Sequence, residues 1–576
     1  MGSHQSLGDD APGTGGGLIV EPRRRYLDLA LITGISILLF FFRLGSFGFV
    51  GADEPRYAQV AREMLERHDW VTPVLYGHTW LEKPIGYYWG ALVSFKFFGV
   101  TDAAARVPSA MAATLMVLFI YFVLGRIRPA ARVDAALMTA SGALILGMAR
   151  AASTDMVLSA PFAIAMLAWY AFESDRTSVT ARGWLIVSYA ALGAATLAKG
   201  PVAPVLAGAI IAAYALLRRD AKVVVRALWI PGILTFLLVA GPWYVLVQHR
   251  TPEFFRVFIL EHNLGRFGSD MFRHKQPFWY YIPVMLVATA PWTFFVATAF
   301  VTDTRDWWRA RKKAIEQQDG FVLFLLLWII IPVAFFSISK SKLPGYILPA
   351  VPPALILAAD WIHRRSESSE RVPFWLAGAH AVLLSALAAV LLMTPTLILK
   401  LPASPQAMMI GGFLGSVIFI GVVLSLLIRG WSMLRFATLV PLVLYVSFIL
   451  RVLAPTIDLV QSSRPVVDLL GDARTLPVAT FKVKRELPYG LAFYLNRAPI
   501  PYDGLEVSPH EYTIPPTIPQ SEHVVVVREG NRDELRQLVS GRTLSFIGYL
   551  RAQHVEIYRV SGQSKAEGQM SQPPTP

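Results

Sequence analysis

The chain has 576 residues, of which 55% are hydrophobic and only 16% are Asp, Glu, Lys or Arg. Soluble globular proteins carry about a quarter charged residues, so these values exclude most soluble folds and a disordered chain, and they predict an integral membrane protein. The net charge of +14 is assigned to membrane topology and not to nucleic-acid binding, because basic residues accumulate in cytoplasmic loops. The absence of cysteine excludes disulfides, thiolate metal sites and cysteine nucleophiles.

The N-terminal segment is predicted to be flexible and cytoplasmic over residues 1–25. Residues 1–20 are rich in Gly and Ser and lack a cleavable signal pattern, so they are excluded from fold reasoning. Arg23, Arg24 and Arg25 then precede the first apolar run. Positive charge at that place holds the start of a helix in the cytoplasm, so the far end of this run is predicted to lie outside.

Apolar runs long enough to span a membrane as helices recur from residue 27 to residue 453. About thirteen spans, each of about 17 to 25 residues, are predicted near Leu27–Leu44, Val107–Leu124, Val133–Met148, Asp155–Phe172, Trp184–Ala198, Val202–Leu217, Trp229–Gln248, Trp279–Val301, Phe321–Ser337, Leu343–Ile362, Pro373–Met393, Met408–Ile428 and Phe436–Leu453. Basic residues occur in every second connection, which predicts that those connections are cytoplasmic. They are Arg126, Arg128, Arg132, Arg176, Arg182, Arg218, Arg219, Lys222, Arg226, residues 305–313, Arg364, Arg365, Arg371, Arg429 and Arg435.

An odd number of spans places the segment after Pro455 outside the cytoplasm. We predict a transmembrane catalytic domain over residues 26–455 with outside loops at 45–106 and 249–278, an α/β domain over 456–562, and a flexible tail over 563–576. Within the α/β domain, a helix is predicted at Arg532–Val539. Strands are predicted at Val478–Val483, Leu491–Leu495, His523–Val527, Leu544–Leu550 and Glu556–Val560.

The first outside loop begins with the sequence Gly51-Ala52-Asp53-Glu54-Pro55-Arg56-Tyr57-Ala58. Asp53 or Glu54 is predicted to be a helix N-cap with Pro55 at the first helical position. Tyr57, Val60, Met64 and Leu65 form a one-sided stripe, so this helix is predicted to lie on the outer interface. A purely structural alternative is that Asp53 only caps the helix.

Three further segments place ionisable residues where spans emerge outside. Glu82 and Lys83 precede a run of aromatic residues, which a loop ion pair and an aromatic belt would also explain. Arg150 and Asp155 flank the start of one span, and Lys199 ends another. Ionisable residues at such boundaries are candidates for a functional site, whereas the structural alternative for Lys199 is snorkelling to lipid headgroups.

Two later outside segments add candidates. The loop at Arg250–Phe278 contains Glu261-His262-Asn263-Leu264-Gly265-Arg266. Glu82 and His262 are predicted to share the outer face, where they would supply half of a divalent metal site. The turn Ser339-Lys340-Ser341-Lys342-Leu343-Pro344-Gly345-Tyr346 carries two lysines against the topological bias, which favours phosphate binding.

The charged residues of the outer face together indicate the chemistry. Cations there suit a lipid phosphate whose polyprenyl tail lies along apolar spans, which implies transfer of a headgroup from that phosphate. A transporter or flippase for a lipid-linked sugar is the rival, but internal repeats and charges at the bilayer midplane are not seen in the sequence. A structural scaffold does not explain lysines on this side. The cations are Lys83, Lys199, Arg266, Lys340 and Lys342, and the carboxylates are Asp53, Glu82 and Asp155.

These motifs resemble the polyprenyl-phosphate-dependent glycosyltransferases of the GT-C fold, in particular the bacterial lipid A aminoarabinose transferases, which are related to protein O-mannosyltransferases. The resemblance covers the whole membrane region, with one departure at Pro84-Ile85-Gly86, where Pro-Pro-Gly is commoner. The motifs that carry it are Asp53-Glu54-Pro55-Arg56-Tyr57-Ala58, Glu82-Lys83-Pro84-Ile85-Gly86-Tyr87-Tyr88-Trp89, Thr154-Asp155, Lys199-Gly200-Pro201 and the segment from Ser339 to Tyr346.

The resemblance implies transfer of 4-amino-4-deoxy-L-arabinose from undecaprenyl phosphate to lipid A at the periplasmic face of the inner membrane, a modification that confers resistance to polymyxin and cationic peptides. It implies that the carrier phosphate is held by Lys83, Arg266 and Tyr346, and we place Arg56, Lys199, Lys340 and Lys342 with them. Glu82 and His262 match a site for zinc or another divalent metal, and Asp53 and Asp155 match acidic cavity residues. An O-mannosyltransferase-like or other lipid-linked-sugar transferase is the alternative.

The expected reaction is a direct displacement at the anomeric carbon. Negative charge grows on the departing lipid phosphate, where Lys83 and Arg266 would stabilise it. A lipid A phosphate is ionised and needs no general base, so Asp53 would orient the sugar. A hydroxyl acceptor would need a base instead, and Asp53 would then take its proton.

Overall fold

The computed structural model describes residues 22–258, 276–310, 319–366, 372–393, 430–508 and 512–562, together with a few residues between 409 and 423. Helices form the first part of the chain, up to residue 470, with one short antiparallel hairpin, β1 (Val74–Leu75) and β2 (His78–Thr79). The helices are α1 (Pro22–Ser36, extended by a π-helical turn at Ile37–Phe41), α2 (Asp53–Glu66), α3 (Gly86–Phe98), α4 (Asp102–Ile127), α5 (Arg132–Ser141), α6 (Ala143–Ala149), α7 (Thr154–Ser174), α8 (Ala181–Lys199), α9 (Val202–Leu217), α10 (Lys222–Ala227), α11 (Ile230–Arg250), α12 (Tyr281–Ala288), α13 (Thr293–Ala310), α14 (Gly320–Ile338), α15 (Val351–Ser366, preceded by a 3-10 helix at Pro344–Ala350), α16 (Phe374–Met393), α17 (Trp431–Phe448, extended by a π-helical turn at Ile449–Leu453), α18 (Ala454–Gln461) and α19 (Arg464–Leu470).

Within the described residues, seven helical segments are long and apolar enough to cross a membrane, and the pair α5 and α6, bent by 63°, is an eighth candidate. The prediction of a multi-pass membrane protein is therefore confirmed. Twelve of the predicted spans fall on helices or broken helices of the structure, whereas the span predicted at Met408–Ile428 lies largely outside the described residues. The total of thirteen stays a prediction, because several of these helices are too short or too bent to qualify alone.

Ion pairs join the helix ends that the sequence assigns to the cytoplasm. Arg128 binds Asp319 at 2.5 Å, and Arg364 binds Asp303 at 2.6 Å. Both pairs connect segments far apart in sequence, so the ends that carry the basic connections lie together at one end of the helical part. This arrangement agrees with the predicted segregation of basic loops to one side.

The C-terminal part is an α/β domain with a five-stranded sheet of order β4-β3-β7-β9-β8. β3 runs parallel to β4 and β7, and β9 runs antiparallel to β7 and β8. A separate antiparallel pair, β5 with β6, lies beside it. The elements are β3 (Val478–Phe481), α20 (Glu486–Leu495), β4 (Ile500–Pro501), β5 (Leu505–Ser508), β6 (Tyr512–Ile514), β7 (His523–Arg528), α21 (Arg532–Leu538), β8 (Leu544–Leu550) and β9 (Val555–Val560).

The strand predicted at Leu491–Leu495 is wrong, because these residues end the helix α20. Leu487 and Leu491 are four residues apart, and both are buried in one apolar cluster with the sheet. This spacing places them on one face of a helix, whereas a strand would send alternate residues to opposite faces. A short apolar run does not distinguish these two periodicities.

The C-terminal domain docks directly on the first outside loop and on α2. The Tyr494 hydroxyl accepts a hydrogen bond from the backbone N–H of Phe49 at 3.1 Å and donates one to Asp102 at 3.0 Å. Arg62 of α2 donates to the carbonyl oxygen of Phe493 at 2.8 Å. Helix α20 therefore packs against the first outside loop and α2, which carry several of the predicted site residues.

Candidate active site

The helix α2 begins at Asp53, two residues before Pro55, the predicted first helical position. Ala52 occupies the N-cap position, and Asp53 and Glu54 are the first two helical residues with Pro55 third, so the capping prediction is wrong. The apolar stripe also has a different role from the predicted one. Tyr57, Val60 and Met64 are buried in a cluster with residues of α3 and α20, so the stripe packs against protein and not against the outer interface.

Glu54 is a buried structural anchor. Its carboxylate receives two hydrogen bonds from Arg106 of α4, at 3.0 and 2.8 Å, and both side chains are buried. It also accepts from the backbone N–H groups of Val50 at 2.8 Å and Ala152 at 2.7 Å. One carboxylate therefore ties together α2, α4, the loop before α2 and the loop before α7.

Asp53 has a different environment from its neighbour. Its side chain is 57% exposed and forms an ion pair with Arg56, one helical turn along α2. The two adjacent carboxylates therefore have different environments. The Glu54 carboxylate accepts four hydrogen bonds and is buried, whereas the Asp53 carboxylate is accessible and pairs with Arg56.

Arg56 lies in an aromatic cage formed by Tyr57, Trp80 and Tyr489. Its guanidinium carbon lies 5.9, 5.3 and 5.4 Å from the three ring centroids, within the range of cation–π attraction. Burial disfavours the charged guanidinium, but the carboxylates of Asp53 and Glu82 outweigh this effect and raise the pKa of Arg56 above its usual range. Arg56 is therefore a permanent cation between the two carboxylates.

Glu82 and Lys83 form a buried ion pair. The Lys83 ammonium nitrogen lies 3.3 Å from the Glu82 carboxylate, and each residue is 7% exposed. Lys83 is also close enough to Asp155 for the two charges to interact. Burial away from water strengthens such interactions, so Lys83 interacts strongly with Glu82 and also with Asp155.

Asp155 and Lys199 form a second ion pair at the ends of two spans. Asp155 lies in the first turn of α7 and Lys199 in the last turn of α8, where the helix dipoles favour a negative and a positive charge respectively. Ser153 donates a hydrogen bond to Asp155 at 3.1 Å. The Lys199 ammonium lies 4.7 Å from the ring centroid of Tyr346, so this lysine pairs within the protein instead of snorkelling.

These side chains form a continuous series of alternating charges, which we call the charge row. Each member pairs with or electrostatically contacts the next. The row links residues from α2, the loop before α3, α7 and α8, which are distant in sequence. Its members are Asp53, Arg56, Glu82, Lys83, Asp155 and Lys199.

Gly86 allows α3 to approach the end of α8. A Cβ atom at Gly86 would lie 2.9 Å from backbone atoms of Leu197 and Ala198, which is closer than real Cβ contacts. The close approach brings the segment with Lys83 beside the helix end with Lys199. The Gly86 of the Pro84-Ile85-Gly86 motif is therefore a packing requirement of the charge row.

We expect Gly86→Ala to separate α3 from α8 and to lower turnover by about tenfold to 100-fold, because misplacement by about 1 Å has effects of this size. The measurement is sugar transfer, the activity that the sequence resemblance implies, by purified protein in proteoliposomes. Gly208→Ala in α9 is the matched control, since a Cβ there meets no atom within 4 Å. Equal turnover of the two variants would contradict this account of Gly86.

Of the remaining predicted site residues, Lys342 and Lys340 lie in the described part of the chain and Arg266 and His262 do not. Lys342 is buried and donates to the backbone carbonyl oxygens of Ser339 at 2.5 Å and Gln276 at 3.1 Å, so its ammonium holds the turn together. Lys340 is exposed on that turn. Arg266 and His262 lie outside the described residues, so their predicted roles in phosphate and metal binding stay predictions.

The described residues do not by themselves form a metal site. No group of three or more His, Asp or Glu within them could hold a metal ion. Glu82 pairs with the ammonium of Lys83. The predicted pair of Glu82 with His262 stays a prediction.

Sequence reasoning missed three contributors to this site. Arg106 holds Glu54, Tyr489 completes the cage around Arg56, and Tyr88 accepts a hydrogen bond from the indole N–H of Trp80 at 3.0 Å. Burial raises the pKa of Tyr88, so its hydroxyl stays protonated. The sequence does contain a signal for Arg106. It is a basic residue at the outer end of a span, and the same criterion selected Lys199.

In sequence and in fold, this chain is similar to membrane glycosyltransferases that use a lipid phosphate. The family model described as "Dolichyl-phosphate-mannose-protein mannosyltransferase" matches residues 29–258, which contain the whole charge row. The structure of ArnT from Cupriavidus metallidurans bound to undecaprenyl phosphate superposes with a TM-score of 0.73 at 22% identity, covering 92% of this chain and 97% of that one. The two chains therefore share a fold.

Curated relatives refine the comparison. The undecaprenyl phosphate-alpha-4-amino-4-deoxy-L-arabinose arabinosyl transferase of Aeromonas hydrophila is 33% identical over 350 residues, which are 60% of this chain and 62% of the relative. The transferase of the same description from Pseudomonas aeruginosa is 32% identical over 333 residues, or 57% and 58% of the two chains. The chain thus matches about three fifths of these relatives' length, and the predicted resemblance to aminoarabinose transferases is confirmed.

Proposed function

We propose that this chain transfers 4-amino-4-deoxy-L-arabinose from undecaprenyl phosphate to a phosphate of lipid A. The observation that carries the proposal is the charge row, in which the buried Lys83 pairs with Glu82 and interacts electrostatically with Asp155. A buried ammonium beside anionic groups suits a site where a phosphate and a cationic amino sugar meet. The relatives named for this donor sugar and carrier support the choice of substrate.

The reaction breaks the bond between the anomeric carbon and the carrier phosphate oxygen. The electron pair of that bond leaves with undecaprenyl phosphate, and a lipid A phosphate oxygen forms the new bond to the anomeric carbon. The departing phosphate changes from a diester with one negative charge to a monoester with more. Lys83 stabilises this growing charge, and its low exposure makes the effect larger than in water.

The carboxylates act on the sugar. The acceptor phosphate is already ionised, so no side chain must remove a proton from it. Asp53 is accessible and lies at the end of the row, where its carboxylate can bind the sugar ammonium or hydroxyl groups. Asp155 holds Lys199 and lies beside Lys83, so it keeps both lysines directed into the same region.

The site is assigned to the periplasmic side of the bacterial inner membrane. The assignment depends on the basic connections that lie at the opposite end of the helices, since basic loops stay in the cytoplasm. The charge row lies away from the ion pairs of Arg128 and Arg364 that join that end. Lipid A and undecaprenyl phosphate sugars are both reachable from such a site.

The test is transfer by purified protein in proteoliposomes containing lipid A and a radiolabelled undecaprenyl phosphate aminosugar. Mass spectrometry of the lipid A should show an increment of one aminopentose. Label that moves between leaflets without joining lipid A would instead indicate a flippase, and label on a hydroxyl-bearing peptide would indicate an O-glycosyltransferase. Either result in place of lipid A modification would contradict the proposal.

A further inference from the structure

The C-terminal domain reaches the charge row at Arg56. The Tyr489 ring is one wall of the aromatic cage, 5.4 Å from the guanidinium carbon. The carbonyl oxygen of Val507 accepts a hydrogen bond from Arg56 at 3.4 Å. Both residues belong to the α/β domain, whereas Arg56 belongs to α2.

The other contacts of Arg56 come from the membrane part of the chain. Tyr57 and Trp80 form the remaining cage walls, and Trp80 is fixed by its hydrogen bond to Tyr88. The guanidinium is directed from this cage to the carboxylate of Asp53. The orientation of the ion pair thus depends on walls supplied by both parts of the chain.

Tyr489 is itself held in a fixed orientation. Its side chain is fully buried, and its hydroxyl donates to the carbonyl oxygen of Glu506 at 3.2 Å. The ring of Tyr76, from the hairpin between α2 and α3, stacks on it with an interplanar angle of 5°. A ring that is fixed in this way presents a constant face to Arg56.

We propose that Tyr489 is a positioning residue, through which the C-terminal domain completes the active site by holding Arg56 and hence Asp53. This inference rests on the proposed function, because Asp53 is assigned there to the sugar. The aromatic face is the required property, since a guanidinium is attracted to the π-electron face of the ring. The domain is then a component of the transferase site and not only an attachment to it.

The test compares Tyr489→Leu, which replaces the aromatic face by a smaller aliphatic side chain, with Tyr489→Phe, which keeps the face and removes the hydroxyl. We expect Tyr489→Leu to lower kcat about tenfold with KM for the lipid donor changed less than about twofold, since a desolvated cation–π contact has effects of this order. Tyr489→Phe should stay within about twofold of wild type. If the leucine variant does not fold, Tyr489→Met replaces it.

Tyr494→Phe is the matched control for docking. It loses the hydrogen bonds to Phe49 and Asp102 at the same interface but does not belong to the cage. We expect its kcat to stay near that of wild type. A loss equal to that of Tyr489→Leu would show that general docking is responsible, and it would overturn the positioning role.

A double variant shows whether Tyr489 acts through Arg56. In an Arg56→Met background, Tyr489→Leu should cause no further loss of kcat, because residues that act as a unit are not additive. A further tenfold loss would overturn the inference. If wild-type protein transfers no sugar, the proposed function fails, and the Tm values decide the inference. Tyr489→Leu should lower the Tm less in the Arg56→Met background than in the wild-type background, whereas equal losses in the two backgrounds would overturn it.

Discussion

Replacement of Lys83 by alanine is expected to lower kcat by about 100-fold to 1000-fold, which is the usual effect of losing one group that stabilises developing negative charge. The ammonium is buried beside Glu82 and interacts electrostatically with Asp155, in a place where water cannot substitute for it. KM for the donor should change less than kcat, because the charge on the phosphate is larger in the transition state than in the ground state. The measurement is steady-state transfer to lipid A in proteoliposomes.

Lys96→Ala is the matched control for this prediction. Lys96 is an exposed lysine on α3, the helix that follows the Lys83 segment. Its removal changes the net charge by the same amount without touching the charge row, so turnover should not change. Wild-type turnover by a folded Lys83→Ala protein would contradict the role of Lys83 at the departing phosphate.

The adjacent carboxylates of α2 are expected to have opposite phenotypes. Asp53→Asn should fold normally and lose transfer by about 100-fold or more, since it removes a charge that faces accessible space. Glu54→Gln should instead destabilise the protein by about 3 to 5 kcal/mol, because it leaves the buried guanidinium of Arg106 without its anionic partner. Each variant is the control for the other.

The two outcomes are separated by measuring both quantities on both proteins. Thermal unfolding in detergent should give Asp53→Asn a Tm near wild type and Glu54→Gln a clearly lower one. Transfer per folded molecule should then be lost in Asp53→Asn. A stable Glu54→Gln protein, or an Asp53→Asn protein with normal transfer, would contradict the division of roles between them.

Much of the architecture could be predicted from hydrophobicity and charge. Helices coincide with nearly all the predicted spans, because a membrane-spanning segment must satisfy its backbone hydrogen bonds locally and must be apolar. The basic connections also lie together, as the ion pairs of Arg128 and Arg364 show. The short helix α20 was not predicted, because its apolar run is compatible with either a helix or a strand.

The candidate site was predicted as a set of segments but not as a geometry. Asp53, Lys83, Asp155 and Lys199 were selected as ionisable residues at outer boundaries, and the structure brings all four into one row. Glu82 and Lys83 are neighbours, and the sequence already allowed a loop ion pair there. The pairing of Asp155 with Lys199 could not be predicted, because these residues lie 44 positions apart in the chain. The assignment of Glu54 to Arg106 and the approach of Tyr489 to Arg56 depend on the tertiary fold alone.

The ion pairs that the charge row forms without a ligand also affect the release of the product. Lys83 and Lys199 are each matched by a carboxylate before any lipid arrives, so a phosphate that enters exchanges one anionic partner for another instead of filling an empty positive pocket. After transfer, the spent carrier carries more charge than the donor and would bind more tightly. Under the proposed function, Glu82 and Asp155 would compete with the used lipid for the same two ammonium groups, and they would thereby limit product inhibition.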